Sequence, residues 1–368
     1  ASLLVEKTCN KPWGEVIRAR IFEPLGMTRS YTTNADYQRA DSNYAHPLIT
    51  RRRFSVPLYL APTDATACAG ALSMSVSDLL CWGRANLVAS QHACQPACLS
   101  PRQSSLISPA AARELYAAQT PIRPGEMAPY AIPFVEAEAY GLGWFVETYR
   151  DTPLVHHGGT INGFKSIVGF LPQHDCAFAV LVNQNGSAAP ATIMRTIADA
   201  VIAVGSEDID EHSGEKPGAF DWCAFYGQLA ETQRAKAEQD YRAAFAKKRQ
   251  QLPAQCEGSY QHPAYGELRI VNSLRGARLQ TGNQNFRLRP GAQTPWAIDT
   301  GILRLAVPCY FEGDSFNAFL EPELKKPIRF VQAAAPAAPV VSAANSGASA
   351  ANSGASASPV LLTKDTTL

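Results

Sequence analysis

Four short apolar runs follow one another between residues 140 and 186, and no other stretch of the chain constrains its fold as tightly. Tyr140-Gly-Leu-Gly-Trp-Phe-Val146, Leu154-Val-His156, Ser166-Ile-Val-Gly-Phe-Leu171 and Ala177 to Val182 each have strand length. The joins between them are too short for the dozen residues that a parallel crossover needs, so they predict antiparallel hairpins. Helical spacing returns over 190–204, with Ile193, Ile197, Val201 and Val204 as the apolar side. Three further helices are expected upstream. One spans 12–22, with Trp13, Val16, Ile17 and Ile21 on one face and Asn10 in a left-handed link before it. Another spans 75–90, capped by Ser75 or Ser77, with Leu79, Leu80, Trp82 and Leu87 as apolar positions. The third, near 108–118, opens on Ser108-Pro109. Residues 28–66, rich in Tyr, Thr, Asn and Pro, read mostly as loop. The fold class is therefore mixed α/β (α+β), an antiparallel sheet flanked by helices.

A change of composition marks the end of this region. Gly205 to Gly218 is acidic and polar, and 220–250 is a long charged helix anchored by Trp222, Phe225, Leu229 and Tyr241. Short alternating segments then resume: Leu268-Arg-Ile-Val271, Arg278-Leu-Gln280, Phe286-Arg-Leu288 and Ile328-Arg-Phe330. They predict a small all-β module, barrel or sandwich. Beyond Ala333 a heptapeptide, Ala-Ala-Asn-Ser-Gly-Ala-Ser, repeats without any large apolar residue, which predicts a low-complexity disordered tail. The expected divisions are 1–204, a linker and connecting helix over 205–257, the β module over 258–332, and the tail from 333 to 368.

The formal net charge of +1 gives no field that would gather nucleic acid. No apolar run approaches the roughly 20 residues of a membrane helix. Nine cysteines are too scattered for a zinc knot. Only Cys94 and Cys98 sit close together in a polar loop, where a plain variable loop, a local disulfide and a metal site all stay open.

The candidate chemistry lies in His156-His157-Gly158-Gly159-Thr160, at a strand end leading into a hairpin. Glycines beside a histidine let a ligand or another backbone approach the strand edge. Asp64, His174 and His212 read as exposed loop residues. Tyr260, Tyr265 and Trp296 read as core of the β module rather than ligand contacts.

Further landmarks give these residues a context. Glu6-Lys7-Thr-Cys-Asn-Lys-Pro-Trp13 with Ile21-Phe-Glu-Pro-Leu-Gly-Met27, Ala69-Gly-Ala-Leu-Ser73 with Ser77-Asp78-Leu79, His157-Gly158-Gly159, and Phe170-Leu-Pro172 with Leu181-Val-Asn183 occur in this order. Together they resemble the serine hydrolases of the β-lactamase and penicillin-binding-protein-like family. The His-Gly-Gly form is similar to the D-aminopeptidase, D-peptidase and esterase branches of its class C-like members. Gly258-Ser-Tyr260, Tyr265-Gly-Glu-Leu268 and Leu288-Arg-Pro290 resemble the lipocalin-like β domain that follows the catalytic domain in some members.

The resemblance implies hydrolysis of an amide or ester, in a D-amino-acid peptide, a β-lactam or a small ester, without metal or organic cofactor. A serine of a Ser-x-x-Lys motif would attack the acyl carbon. His157 would face the cleft, polarising it or holding a substrate carboxylate. Gly158 and Gly159 would keep the edge open for an extended substrate, and the Thr160 N–H would donate to the oxyanion. A peptide or small molecule would be the partner, and a periplasmic or secreted location is expected.

The nucleophile motif itself is not in its place. The sole Ser-x-x-Lys is Ser213-Gly-Glu-Lys216, in the acidic linker, and no Tyr-x-Asn occurs. Ser315-Phe-Asn317 falls in the β module, where a Ser-x-Asn match reads as chance. Ala1-Ser-Leu-Leu-Val-Glu-Lys7 reads as the last turns of a helix already under way. We therefore expect an N-terminally truncated hydrolase, inactive alone, whose missing segment carries the nucleophile and any export signal. The alternative is a non-catalytic binding or regulatory protein that keeps the cleft.

Overall fold

The computed structural model describes residues 2–40, 43–51, 54–58, 67–94, 106–123, 131–161, 163–204, 220–246, 250–273, 276–282, 284–301, 305–320 and 326–333. They divide into two units, with the boundary between Ala243 and Ala244. The tail from 334, Asp64, His212, the Ser213–Lys216 match and the loop that follows Cys94 and holds Cys98 lie outside the described residues.

In the first unit the elements run α1 (Ser2–Cys9), α2 (Trp13–Ile17), α3 (Glu23–Leu25), β1 (Ser30–Tyr31), α4 (Asn34–Ala40), β2 (Leu48–Arg51), β3 (Phe54–Pro57), α5 (Ala67–Gly70), β4 (Ser73–Met74), α6 (Val76–Cys94) and α7 (Pro109–Leu115). There follow β5 (Thr120–Pro121), β6 (Val135–Tyr140), β7 (Phe145–Tyr149), β8 (Thr152–Ile161), β9 (Phe164–Leu171), β10 (Cys176–Val182), β11 (Gln184–Asn185), α8 (Ala189–Ala203) and α9 (Trp222–Ala243). The main sheet is antiparallel, in the order β10-β9-β8-β7-β6-β5. Short joins forced this meander, as the sequence predicted. The run Tyr140–Val146 is not one strand, however. It holds the β6–β7 turn, where Gly143 takes φ +84°, a conformation open to glycine at little cost. Residues 28–66 also carry more structure than expected: α4, and β2, which pairs antiparallel with β3 and parallel with β11.

Helices cover both sheet faces. On one face α6 packs by its small Gly83, where a β-carbon would come 3.1 Å from Val168 Cγ2. Leu79, Leu87, Trp144, Val155, Val168 and Phe170 form the core there. Ser75 caps α6, its Oγ accepting from Asp78 N at 3.2 Å. The Asp78 carboxylate accepts from Arg29 N and Ser30 Oγ, each at 2.8 Å, and so ties β1 to this helix. Ser108 caps α7 in the same way, accepting from Ala111 N. After α2 the chain widens into a π turn over Arg18–Phe22. That turn rotates the apolar face, so Phe22 is buried with Trp13 and Val16 while Ile21 is only half-buried.

The opposite face carries α8 and the Trp222 end of α9 over Tyr149, Leu154, Ile167, Leu171, Phe178 and Val180. Here the expected apolar side of α8 holds only in part: Ile197 packs against the core. Ile193 and Val204 are 40% and 82% exposed, while Arg195 and Asp199 are 0% and 1% exposed. The reason is a set of partners supplied by the sheet. Arg195 Nη1 and Nη2 meet Glu147 Oε2 and Oε1 at 2.7 and 3.0 Å, and His156 Nε2 meets Glu147 Oε1 at 2.8 Å. Asp199 accepts from the Tyr149 hydroxyl, from Arg150 Nε at 2.9 Å and from Trp222 Nε1 at 2.8 Å. The Arg195 guanidinium also lies 4.7 Å from the Tyr149 ring centroid.

In the second unit β12 (Gly258–His262), β13 (Gly266–Val271), β14 (Arg278–Thr281), β15 (Gln284–Pro290), β16 (Trp296–Asp299), β17 (Ala306–Glu312), β18 (Ser315–Ala318) and β19 (Ile328–Gln332) close into an antiparallel barrel. Tyr260, Trp296, Phe316 and Phe330 stand in its core with Leu268, Ile270, Leu279 and Leu288. Tyr265 is 39% exposed, packing its ring against His262 and Phe330 rather than entering the core.

Burial raises the pKa of Glu147, but Arg195 and His156 outweigh it and bring the carboxyl down to about 2. A carboxylate depressed in the folded state stabilises the fold above its unfolded pKa, near 4.5, and loses that contribution as pH falls towards 2. Glu147→Gln is expected to cost about 3–5 kcal/mol at neutral pH, because it strands a buried guanidinium. Between pH 4.5 and 2 the variant's stability should fall less steeply than the wild type's. Urea unfolding across that range checks both, and parallel slopes would refute the assignment.

Candidate active site

Strand β8 is longer than its neighbour β7. Phe145 pairs with His156 and Tyr149 with Thr152, so β7 accompanies only the first half of β8. From His157 to Ile161 the ladder continues on the β9 side alone, His157 opposite Val168 and Thr160 opposite Lys165. The four sequence-predicted site residues, His157, Gly158, Gly159 and Thr160, occupy this one-sided stretch. Gly158 and Thr160 are exposed, His157 and Gly159 half-buried.

Strand alternation separates the two histidines. His156 is buried on the α8 side, bonded to Glu147 and stacked on Phe145 with centroids 5.5 Å apart. His157 shares the other face with Val168, the residue that meets Gly83 of α6. Its Nε2 lies 3.2 Å from the Tyr140 hydroxyl. Burial holds the His157 pKa below the usual imidazole value and the neighbouring His156 lowers it further, while a hydrogen bond to the Gly158 backbone opposes them. Lys165 is likewise held low by burial.

Other segments gather around this half of β8. Gly70 of α5 would place a β-carbon 3.1 Å from Ile161 Cδ1. Leu48 N donates to Gly163 O at 3.4 Å, and a β-carbon on Gly163 would lie 2.6 Å from Pro47 Cα. Asn183 Nδ2 donates to His46 O at 3.0 Å. The sequence reading missed Tyr140 as a site residue. Its signal was the mirrored aromatic pair Tyr140 and Phe145 across the turn, which places a phenol beside the strand that carries the histidines.

The Beta-lactamase family model matches residues 1–202. The chain belongs to the beta-lactamase family. It is similar to Unguisins hydrolase ungD' of Aspergillus campestris, 27% identical over 281 residues that make up 74% of this chain and 47% of that protein. The chain thus spans about half the length of that relative. Among solved structures it is similar to an octameric penicillin-binding protein homologue from Pyrococcus abyssi, with 17% identity, a TM-score of 0.43, and 90% of this chain and 62% of that one covered. It is also similar to a D-amino acid amidase from Ochrobactrum anthropi SV3, with 18% identity, a TM-score of 0.36, and coverage of 52% and 54%. Among the described residues no group of three or more His, Cys, Asp or Glu could hold a metal ion, and no helix is long and apolar enough to cross a membrane.

Glycine has two different meanings on these strands. A β-carbon on Gly158 would meet only the Ser166 carbonyl oxygen, at 3.7 Å, so packing does not demand a glycine there. One on Gly169 would lie 2.6 Å from Val155 O and 2.8 Å from His156 Cβ. Gly169→Ala should therefore cost about 1–3 kcal/mol through overpacking, and Gly158→Ala less than about 0.5 kcal/mol. Thermal melts of both variants check this, and an equal loss would contradict the open edge.

Proposed function

We propose that this chain is part of a serine hydrolase that cleaves an amide or ester bond, in a D-amino-acid peptide, a β-lactam or a small ester. The observation that carries the reading is the one-sided edge of β8, bordered by His157 and left open at Gly158, while Gly159 gives room to Ser166 Oγ. An extended acyl substrate laid along that edge would find backbone N–H groups on one side and the imidazole beside them. The Thr160 N–H is the proposed oxyanion donor, worth several kcal/mol of transition-state stabilisation in such sites. His157 polarises the cleft from the adjacent position.

The nucleophile is proposed to come from residues outside these 368, because the sole Ser-x-x-Lys match falls in the acidic linker, away from any of the family landmarks. The chain by itself should then leave nitrocefin and p-nitrophenyl esters unhydrolysed and take up no fluorescent penicillin or fluorophosphonate. Stoichiometric labelling of one of its own serines would overturn this part of the proposal. In an active form that includes the nucleophile, His157→Ala should lower kcat/KM by roughly ten- to a thousandfold, the scale of losing a positioned polar or proton-transferring group. His156→Ala should act on stability, by about 1 kcal/mol or more, with kcat/KM largely kept. Steady-state kinetics and melts of the two variants decide between them. Full activity in His157→Ala would remove His157 from the site.

A further inference from the structure

We propose that Tyr140 is a positioning residue that fixes His157 as a neutral imidazole protonated on Nδ1. The inference rests on the proposed role of the β8 edge, and it adds the protonation state of the group that meets the substrate there.

The geometry supplies the argument. The Tyr140 hydroxyl lies 3.2 Å from Nε2 of His157, and the Tyr140 ring sits 6.1 Å from the imidazole, centroid to centroid. A phenol has one proton to give and, at neutral pH, gives it readily to a bare imidazole nitrogen. With Nε2 accepting from the Tyr140 hydroxyl, the one proton of the neutral ring is left on Nδ1.

Among the described residues, the charged groups nearby act elsewhere. Phe145 of β7 supplies an aromatic wall with its centroid 5.8 Å from the His157 ring, and Val168 of β9 is the residue opposite. Glu138 of β6, Glu147 of β7 and Arg195 of α8 act on one another and on His156. Lys165 of β9 is opposite Thr160, three residues further along. Of the charged and titratable groups around it, His156 is the one that acts on His157, and it opposes a second proton. The open edge is thus bordered by a fixed neutral ring rather than by a cation, which suits an acyl group with no carboxylate at that position.

Long-range 1H–15N correlation spectra of the 15N-labelled chain test this without any need for turnover, with His157→Ala assigning the ring. Wild type at neutral pH should show a bare Nε2 and a protonated Nδ1. Tyr140→Phe should shift the Nε2 resonance and admit the Nε2–H form, while Tm and the β8 amide signals stay in place. A merely structural tyrosine would move Tm and leave the tautomer alone. The proposal is overturned if wild-type Nε2 carries the proton, or if the Phe variant leaves both ring resonances unchanged. The wild-type spectrum alone is decisive should the variant fold poorly. A failed hydrolysis assay with the expected tautomer would count against the proposed function and not against this assignment.

Discussion

The first unit depends on one buried ion pair. Glu147 on β7 and Arg195 on α8 meet at 2.7 Å with both side chains 1% exposed. Neither would tolerate that burial alone, since an unpaired charge in the interior costs several kcal/mol. Paired, they fix the azimuth of α8 over the sheet, because Arg195 Nη2 donates to Glu147 Oε1 while Nη1 lies 2.7 Å from Oε2. One turn later Asp199 repeats the arrangement with Tyr149, Arg150 and Trp222 and fastens the start of α9 to the same strands. An apolar helix face could slide or rotate on the sheet with little penalty. Two charged residues four apart on that face permit one register only.

The same pair sets the site at a distance of one residue. His156 uses its Nε2 on Glu147, which holds this part of β8 with its even-numbered side chain towards α8. Alternation then turns His157 away from that face, and past the end of β7 the Tyr140 hydroxyl lies 3.2 Å from its Nε2. The site histidine has few direct anchors of its own. Its orientation follows from the neighbour's ion pair and from a tyrosine on the next strand but one.

This explains what could be read from sequence and what could not. Periodicity found β8, β9 and β10 because their apolar residues sit in a two-sided core and repeat at strand spacing. Cap chemistry found the starts of α6 and α7, because Ser75 and Ser108 act locally. The His157–Thr160 stretch stood out because glycines beside a histidine let a ligand or backbone approach, and because it falls in order among the family landmarks. What escaped was every feature set by partners far along the chain. The buried face of α8 contains Arg195 and Asp199, which any hydropathy argument assigns to solvent, and their partners lie 48 and 50 residues away. Tyr140 was hidden inside what looked like one strand, because its turn falls among the apolar residues Leu142 and Trp144. The Ile21-to-Phe22 shift followed from a π turn that leaves no mark in composition.

The barrel bears on function through what fills it. Eight strands enclose a space that side chains can fill or that can hold one small ligand. Here the Phe316 ring lies 6.0 Å from that of Tyr260 and 6.2 Å from that of Phe330, and Trp296, Ile270 and Leu279 complete the packing. The Tyr260 hydroxyl donates to Cys256 O at 3.0 Å. Cys309 on β17 is fully buried, and burial pushes its thiol well above the usual range, as for an inert core sulfhydryl. An interior so occupied argues for a structural β module over a ligand-carrying one. The proposed chemistry then lies along β8 from His157 to Ile161, where β9 is the pairing partner among the described residues.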